Sequence, residues 1–204
     1  MSNIKLPKNF LEEHPLDDIS AALLTHFSMM TTTMSEFNEQ INKVIVSGIK
    51  RSRYDQYMAE NECIMNIKNA EDIVSYMRKI KDPLNRNLLI QKAIAYQDDV
   101  IPLVLKRICK SGHDVFIENT AILIANADSK YTEELYAVFS DIRNAYARSE
   151  MCIVFGVKKK VEYTQLLLEQ FRKIKEEMPD TDYDQGPLLA LHLIYGKVQN
   201  WVLS

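Results

Sequence analysis

The sequence predicts an all-α protein, because of its composition and one recurring pattern. Only 5 Gly and 6 Pro occur among 204 residues, too few turn-formers for a many-stranded β fold. Four segments each carry one apolar triplet at the helical spacing i, i+4, i+7: Ile73/Met77/Ile80, Ile101/Leu105/Ile108, Leu135/Phe139/Ile142 and Leu167/Phe171/Ile174. Each segment is followed by a break and then by a more uniformly apolar segment. This pattern predicts stacked helical hairpins that recur about every 30 residues.

The chain before residue 69 lacks this repeat. Residues 1–16 carry two prolines and little periodicity, which indicates an extended N-terminal arm with Phe10 and Leu11 docked on the body. Residues 17–68 are expected to form an N-terminal helical region packed on the array. Within it, Thr33 and Glu36 have the form of a capping box that starts a long helix.

Residues 69–204 are expected to hold four helix pairs in a single compact domain. Asp82-Pro83 and Gly112 mark turns, Gly112 in the left-handed conformation that follows a helix end, and Asp114 caps the next helix. The second helix of each pair is apolar on most sides, which predicts burial between neighbours. The expected pairs are 72–80 with 85–96, 98–109 with 114–126, 130–146 with 149–157, and 161–177 with 186–199.

One segment carries a family resemblance. DDVIPLVLKRICKSGHDVFIENTAILIAN, residues 98–126, resembles a HEAT-type (armadillo-like) helical repeat, with Pro102 inside the first helix and Asp114 opening the second. YTEELYAVFSDI…SEMCIVFGV resembles a weaker copy, and the similarity extends over roughly residues 69–199. The resemblance implies a right-handed α-α superhelix, a solenoid of stacked antiparallel helix pairs. In that family the inner surface usually binds protein or nucleic acid.

Charge and cysteine usage limit the partners and the compartment. The net charge of −3 argues against nucleic acid, whose non-specific binding draws on clustered positive charge. The N-terminus has no apolar signal region, and no run approaches the roughly 18 apolar residues of a membrane span. Cys63, Cys109 and Cys152 are widely spaced, which favours buried, reduced thiols. A cytoplasmic protein without membrane contact is therefore expected.

No motif for catalysis, cofactor binding or metal binding stands in the sequence. It lacks GxGxxG, GxxxxGK[ST] and GxSxG, and none of its four histidines has a metal-ligand spacing. Asp180 to Asp184 imitate the opening of a calcium loop, but Leu191 stands where the bidentate Glu is needed. This segment is therefore interpreted as an exposed acidic loop, with bound calcium the lesser alternative.

The resulting hypothesis is a non-catalytic protein-interaction module that binds a protein or peptide on the concave face of a small α-solenoid. One alternative, implied by the family resemblance, is a HEAT-like DNA-binding enzyme of the alkylpurine glycosylase type. Another is a homo-oligomeric regulatory or inhibitor protein, whose Met29, Met30 and Met34 would form an adaptable contact surface. The candidate partner contacts are the few polar residues of the apolar second helices: Asn87, Glu118, Asn119, Glu150 and His192.

Overall fold

The computed structural model describes residues 6–17 and 51–196, and this part of the chain is helical without any strand. The all-α prediction is therefore confirmed for the described residues. Two short 3-10 helices, at Phe139–Asp141 and Val161–Tyr163, complete the secondary structure. The α-helices are α1 (Phe10–Glu13), α2 (Arg51–Asn66), α3 (Ala70–Tyr76), α4 (Pro83–Ala95), α5 (Gln97–Ile108), α6 (Asp114–Asn126), α7 (Lys130–Val138), α8 (Ala145–Val157), α9 (Thr164–Glu177) and α10 (Gln185–Tyr195).

The apolar triplets form the buried stripe of α3, α5, α7 and α9 and of the residues that directly follow them. All twelve side chains are buried, none more than 5% exposed. Burial of one such side chain stabilises the fold by roughly 1.5–3 kcal/mol, so the triplets account for a large part of the driving force. Pro102 lies inside α5, the first helix of its pair, and its side chain is exposed.

Local capping signals start α3 and α4 two residues before the positions that the sequence predicted. The side chain of Asn69 accepts the backbone N–H of Asp72 and so caps α3, while Asp82 accepts the N–H of Asn85 at the start of α4. Two expectations at the next turn are wrong. The N-cap of α6 is His113 and not Asp114, and among the described non-glycine residues a positive φ occurs at Lys159, while Gly112 lies outside the left-handed region.

The third helix pair differs most from its prediction. A single helix over 130–146 was expected, but α7 ends at Val138 and a 3-10 turn follows before α8 begins at Ala145. The reason is a competing cap, because Asn144 has extended backbone and its side chain accepts the N–H of Ala147. Tyr146, which was expected in the first helix, consequently belongs to the second helix of the pair.

Helices of equivalent rank contact one another in chain order. The second helices form the series α4, α6, α8 and α10, in which each helix packs on the next, and α2 packs on α4. Among the first helices, α3 contacts α5 and α5 contacts α7. This contact order agrees with stacked helix pairs, and it leaves α6 and α8 buried along nearly their whole length.

Glycine permits the closest of these helix contacts. A Cβ added to Gly156 of α8 would lie 2.5 Å from the Cα of Ala190 in α10, and one added to Gly186 would collide with the backbone of Ser149. The sequence prediction of a close approach is thus confirmed at Gly156, whereas the atoms nearest Gly196 belong to its own helix.

Side chains tie each pair to the next. The amide of Asn119 in α6 donates to the carbonyls of Met77 and Ile80, at 2.8 and 3.1 Å. It thereby gives hydrogen-bond donors to the backbone carbonyls at the end of α3. The ammonium of Lys158 similarly donates to the carbonyl of Ala127, which ends α6, at 2.6 Å. Further along, the rings of Tyr136 and Tyr163 stack with centroids 4.4 Å apart.

The N-terminal segment docks on the opposite end of the chain. Phe10 is buried and its ring meets that of Phe171 edge-on at 5.5 Å, while Leu11 packs partly buried against the core. The carbonyl of His14 lies 2.7 Å from Nε2 of His192. Docking of Phe10 and Leu11 is therefore confirmed, although the described arm contains the short helix α1 and is not wholly extended.

Several sequence expectations lie outside the described residues. They include the Thr33–Glu36 capping box, most of the 17–68 region, the Met29/Met30/Met34 cluster and the last part of the helix expected over 186–199. None of the described helices has the length and apolarity that a membrane-crossing segment needs.

Candidate functional site

Two grooves open on the surface formed by the first helices α3, α5 and α7, which we call the groove face. Both lie where one helix pair meets the next, and α5 separates them. They share two side chains of the C-terminal end of α5 and the turn after it, Lys106 and Lys110. Such a surface forms because each first helix buries the face that carries its apolar triplet and exposes its other faces to solvent.

The larger groove lies between α5 and α7 and has a volume of about 790 Å³. Its apolar lining includes the exposed Pro102 and Ala137 and the half-buried Cys109 and Val138. Lys106, Lys110 and Arg143 carry positive charge along it, and Glu134 and Asp141 carry negative charge on the α7 side. The volume lies within the range of small-molecule and peptide sites, and the mixed lining offers both apolar burial and orienting charges.

The smaller groove lies between α3 and α5 and has a volume of about 430 Å³. Four cations line it, Arg78, Lys106, Arg107 and Lys110, against the single carboxylate of Glu71. That carboxylate is paired with Arg107 at 2.6 Å. The groove therefore carries an excess of positive charge in a chain whose overall charge is −3.

A second cluster of charge is buried among the second helices. Arg86 in α4 and Glu118 in α6 form an ion pair at 3.0 Å, and the hydroxyl of Tyr146 in α8 lies 3.4 Å from the other oxygen of Glu118. Glu150 lies near both charges, 2% exposed, and one of its oxygens has no hydrogen-bond partner among the described residues. Arg86, Glu118 and Glu150 are each 32 residues apart in sequence, so successive pairs place them at one level.

Burial controls the protonation of this buried cluster. Loss of solvent raises the pKa of Glu150 to about 8, with a further rise from the nearby Glu118 carboxylate and a partial offset from Arg86. Burial also raises the pKa of Tyr146 far above its ordinary value. Near neutral pH Glu150 is therefore largely a neutral acid, so the cluster carries one carboxylate fewer than its composition indicates.

The five predicted partner contacts occupy different environments. Asn87, Asn119 and Glu150 are 3%, 0% and 2% exposed, and His192 is 9% exposed beneath the N-terminal arm. Glu118 keeps a side chain that is 23% exposed. Burial gives Asn119 and His192 structural tasks, since their side chains bond to backbone carbonyls of distant segments. Partner contact by the five residues stays a prediction, and Glu118 alone among them presents substantial surface.

The remaining ionisable groups show how the first helices are joined. On the exposed start of α7, Lys130 bonds Asp98 of α5 at 2.7 Å, and the Tyr131 hydroxyl also donates to Asp98. These two donors lower the pKa of Asp98, the Lys130 bond being the larger cause.

The three cysteines form no disulfide, and Cys63 is exposed, contrary to the expectation that the thiols are buried. In the described ranges, no three His, Cys, Asp or Glu side chains converge as a metal site.

Comparison of the chain with protein-family models, curated proteins and solved structures found no match. The HEAT-type resemblance therefore stays an interpretation of residues 69–199.

Sequence reasoning missed the groove face. It placed the candidate partner contacts on the second helices. A signal was present, because the exposed Pro102 and Ala137 break the polar surface of α5 and α7 at neighbouring sites. Their convergence depends on the angle and spacing of two helices, which a sequence pattern does not specify.

Proposed function

We propose that the protein is a non-catalytic protein-interaction module that binds a segment of another protein along its groove face. The observation that carries the proposal is the larger groove between α5 and α7, which combines exposed apolar side chains with charges on both edges. Such a lining suits a peptide, whose apolar side chains occupy the groove while charged groups at the edges set its register.

The proposed binding surface lies on the first helices, whereas the contacts predicted from the sequence lie on the second helices. Burial of α6 and α8 along nearly their whole length leaves little of either available to a partner. The HEAT-like superhelix is part of the proposal, supported by the chain-order packing of α4, α6, α8 and α10. A cytoplasmic location is also proposed, supported by three cysteines without a disulfide.

A pair of photo-crosslinking variants tests the proposed function. Benzoylphenylalanine placed at Ala137, which is exposed in the larger groove, should crosslink a defined partner in cells, and unlabelled wild-type protein should compete for it. The matched control is the same replacement at Ala95, which is also exposed but ends the second helix α4. Identical crosslinks at both positions, or none at Ala137, would rule out the groove as the binding surface.

A steric variant gives an independent measure of the same site. Ala137→Arg places a long side chain in the groove and should abolish co-purification of the partner that crosslinking identifies, whereas Ala95→Arg should leave co-purification unchanged. Circular dichroism of both variants checks that each retains the helical fold, so that loss of the partner is not loss of folding.

A further inference from the structure

The smaller groove, between α3 and α5, is the more basic of the two grooves on the groove face. Arg78, Lys106 and Lys110 are exposed around it, and Ser111 adds a hydroxyl group. Glu71 is the only carboxylate in the lining and it already pairs with Arg107. The other three cations therefore face the groove without a carboxylate in its lining to offset them.

Helix dipoles explain only part of this arrangement. Lys106 and Arg107 lie in the last turn of α5, where a basic side chain interacts favourably with the carbonyl end of the helix. Arg78 belongs to the turn after α3, and Lys110 to the turn after α5. The contact between α3 and α5 brings both turns to one groove, and this convergence is not required for capping either helix.

From this geometry we infer that the smaller groove binds an acidic segment of the protein partner, with Arg78, Lys106 and Lys110 contacting its carboxylates. The inference rests on the proposed function and names the chemistry of the partner. Because Lys106 and Lys110 line both grooves, one segment can cross α5 and place apolar side chains in the larger groove and carboxylates in the smaller one.

The lining favours an acidic protein segment over nucleic acid. The half-buried Leu103 contributes apolar surface to the smaller groove, which suits a peptide side chain better than a phosphate backbone. A continuous nucleic acid would also pass Glu134 and Asp141 in the neighbouring groove, where like charges repel. A short peptide avoids these two carboxylates by placing its apolar part there.

Fluorescence anisotropy with the full chain tests the inference. The probe is a fluorescein-labelled peptide of alternating Glu and Leu, compared with the same peptide carrying Gln for Glu and with single-stranded DNA of equal length. We expect the Glu peptide to bind best and to weaken as salt rises from about 50 to about 300 mM, because the contacts are exposed ion pairs. Equal binding of the Gln peptide, or preferential binding of DNA, would overturn the inference.

Charge variants locate the binding. Reversal of two exposed contacts in Lys106→Glu/Lys110→Glu should weaken the Glu peptide about tenfold, whereas Glu71→Gln should strengthen it about twofold by removing the one carboxylate of the lining. Arg172→Glu is the matched control, because Arg172 is exposed on the first helix α9 outside both grooves. An affinity that does not change in the double variant would contradict the inference.

The two proposals fail in distinguishable ways. If crosslinking at Ala137 persists while the Glu peptide shows no charge-dependent binding, the groove face binds a partner that is not acidic, and only the inference is lost. If crosslinking at Ala137 fails, the proposed function is lost whatever the peptide does.

Discussion

The sequence does not show directly which polar residues are buried in the interior, or why they are buried. Asn119 is buried because two backbone carbonyls left by the end of α3 need a donor, and its amide supplies one. Glu150 is buried without an equivalent partner for one oxygen, so it remains a site of unfavourable desolvation. Polarity on an apolar helix thus did not reveal that Asn119 and Glu150 are buried.

Glu150 makes the stability of the protein depend on pH. Its pKa is raised to about 8 in the folded protein, so the folded state retains a proton that the unfolded chain releases above about pH 4.5. Stability should therefore fall as pH rises from about 4.5 to about 8. We expect Glu150→Gln, which does not titrate, to raise the free energy of unfolding by roughly 1–3 kcal/mol near pH 8, with the gain vanishing below about pH 4.

Urea denaturation at several pH values measures this effect. Glu176→Gln, an exposed change of the same kind on α9, is the control and should leave the pH dependence unchanged. A Glu150→Gln curve that runs parallel to that of the wild type across this range would show that Glu150 is ionised in the folded protein.

At the scale of elements, the apolar triplets predicted which face of each first helix is buried, and all four predictions are confirmed. Periodicity succeeded because a helix with one apolar stripe has one stable orientation against a core. The boundary at Asn144 could not be predicted in the same way. An Asn side chain caps a helix when its own backbone is non-helical, and Asn144 is extended after the short 3-10 turn that follows α7.

The contact of α8 with α10 depends on the absence of a side chain at Gly156. Gly156→Ala would force its Cβ to 2.5 Å from the Cα of Ala190, which no rotamer relieves. We expect a loss of about 1–3 kcal/mol, since overpacking outweighs the better helix propensity of Ala. The control is Gly112→Ala, whose Cβ would meet nothing nearer than 3.6 Å.

Thermal unfolding followed by circular dichroism compares the two variants. The transition of Gly156→Ala should move to lower temperature while that of Gly112→Ala stays within the error of the wild type. Equal behaviour of the two variants would mean that α8 and α10 are not in close contact.

At the scale of the whole molecule, the sequence predicted helix pairs more reliably than the surface they expose. Composition and periodicity determine that the helices form and which face each buries, and the contact series α4, α6, α8 and α10 agrees with the expected order. The position of the grooves depends instead on how α3, α5 and α7 lean on one another, which involves contacts far apart in the chain. The superhelix, the glycosylase alternative and the oligomeric alternative stay predictions.

The docked N-terminal segment also belongs to this scale. Phe10 and His14 join residues near one end of the sequence to Phe171 and His192 near the other, and periodicity gives no indication of that pairing. The segment contacts both helices of the last pair, and His192, one of the predicted contacts, is 9% exposed beside it.

Amide hydrogen exchange of the full chain, with and without the partner recovered by crosslinking at Ala137, tests the groove face most directly. We predict slower exchange in the C-terminal halves of α5 and α7 and in the turns that follow them, with α6 and α8 unchanged because they are already buried. Slower exchange confined to α9, α10 and the N-terminal segment, with none at α5 or α7, would contradict the account.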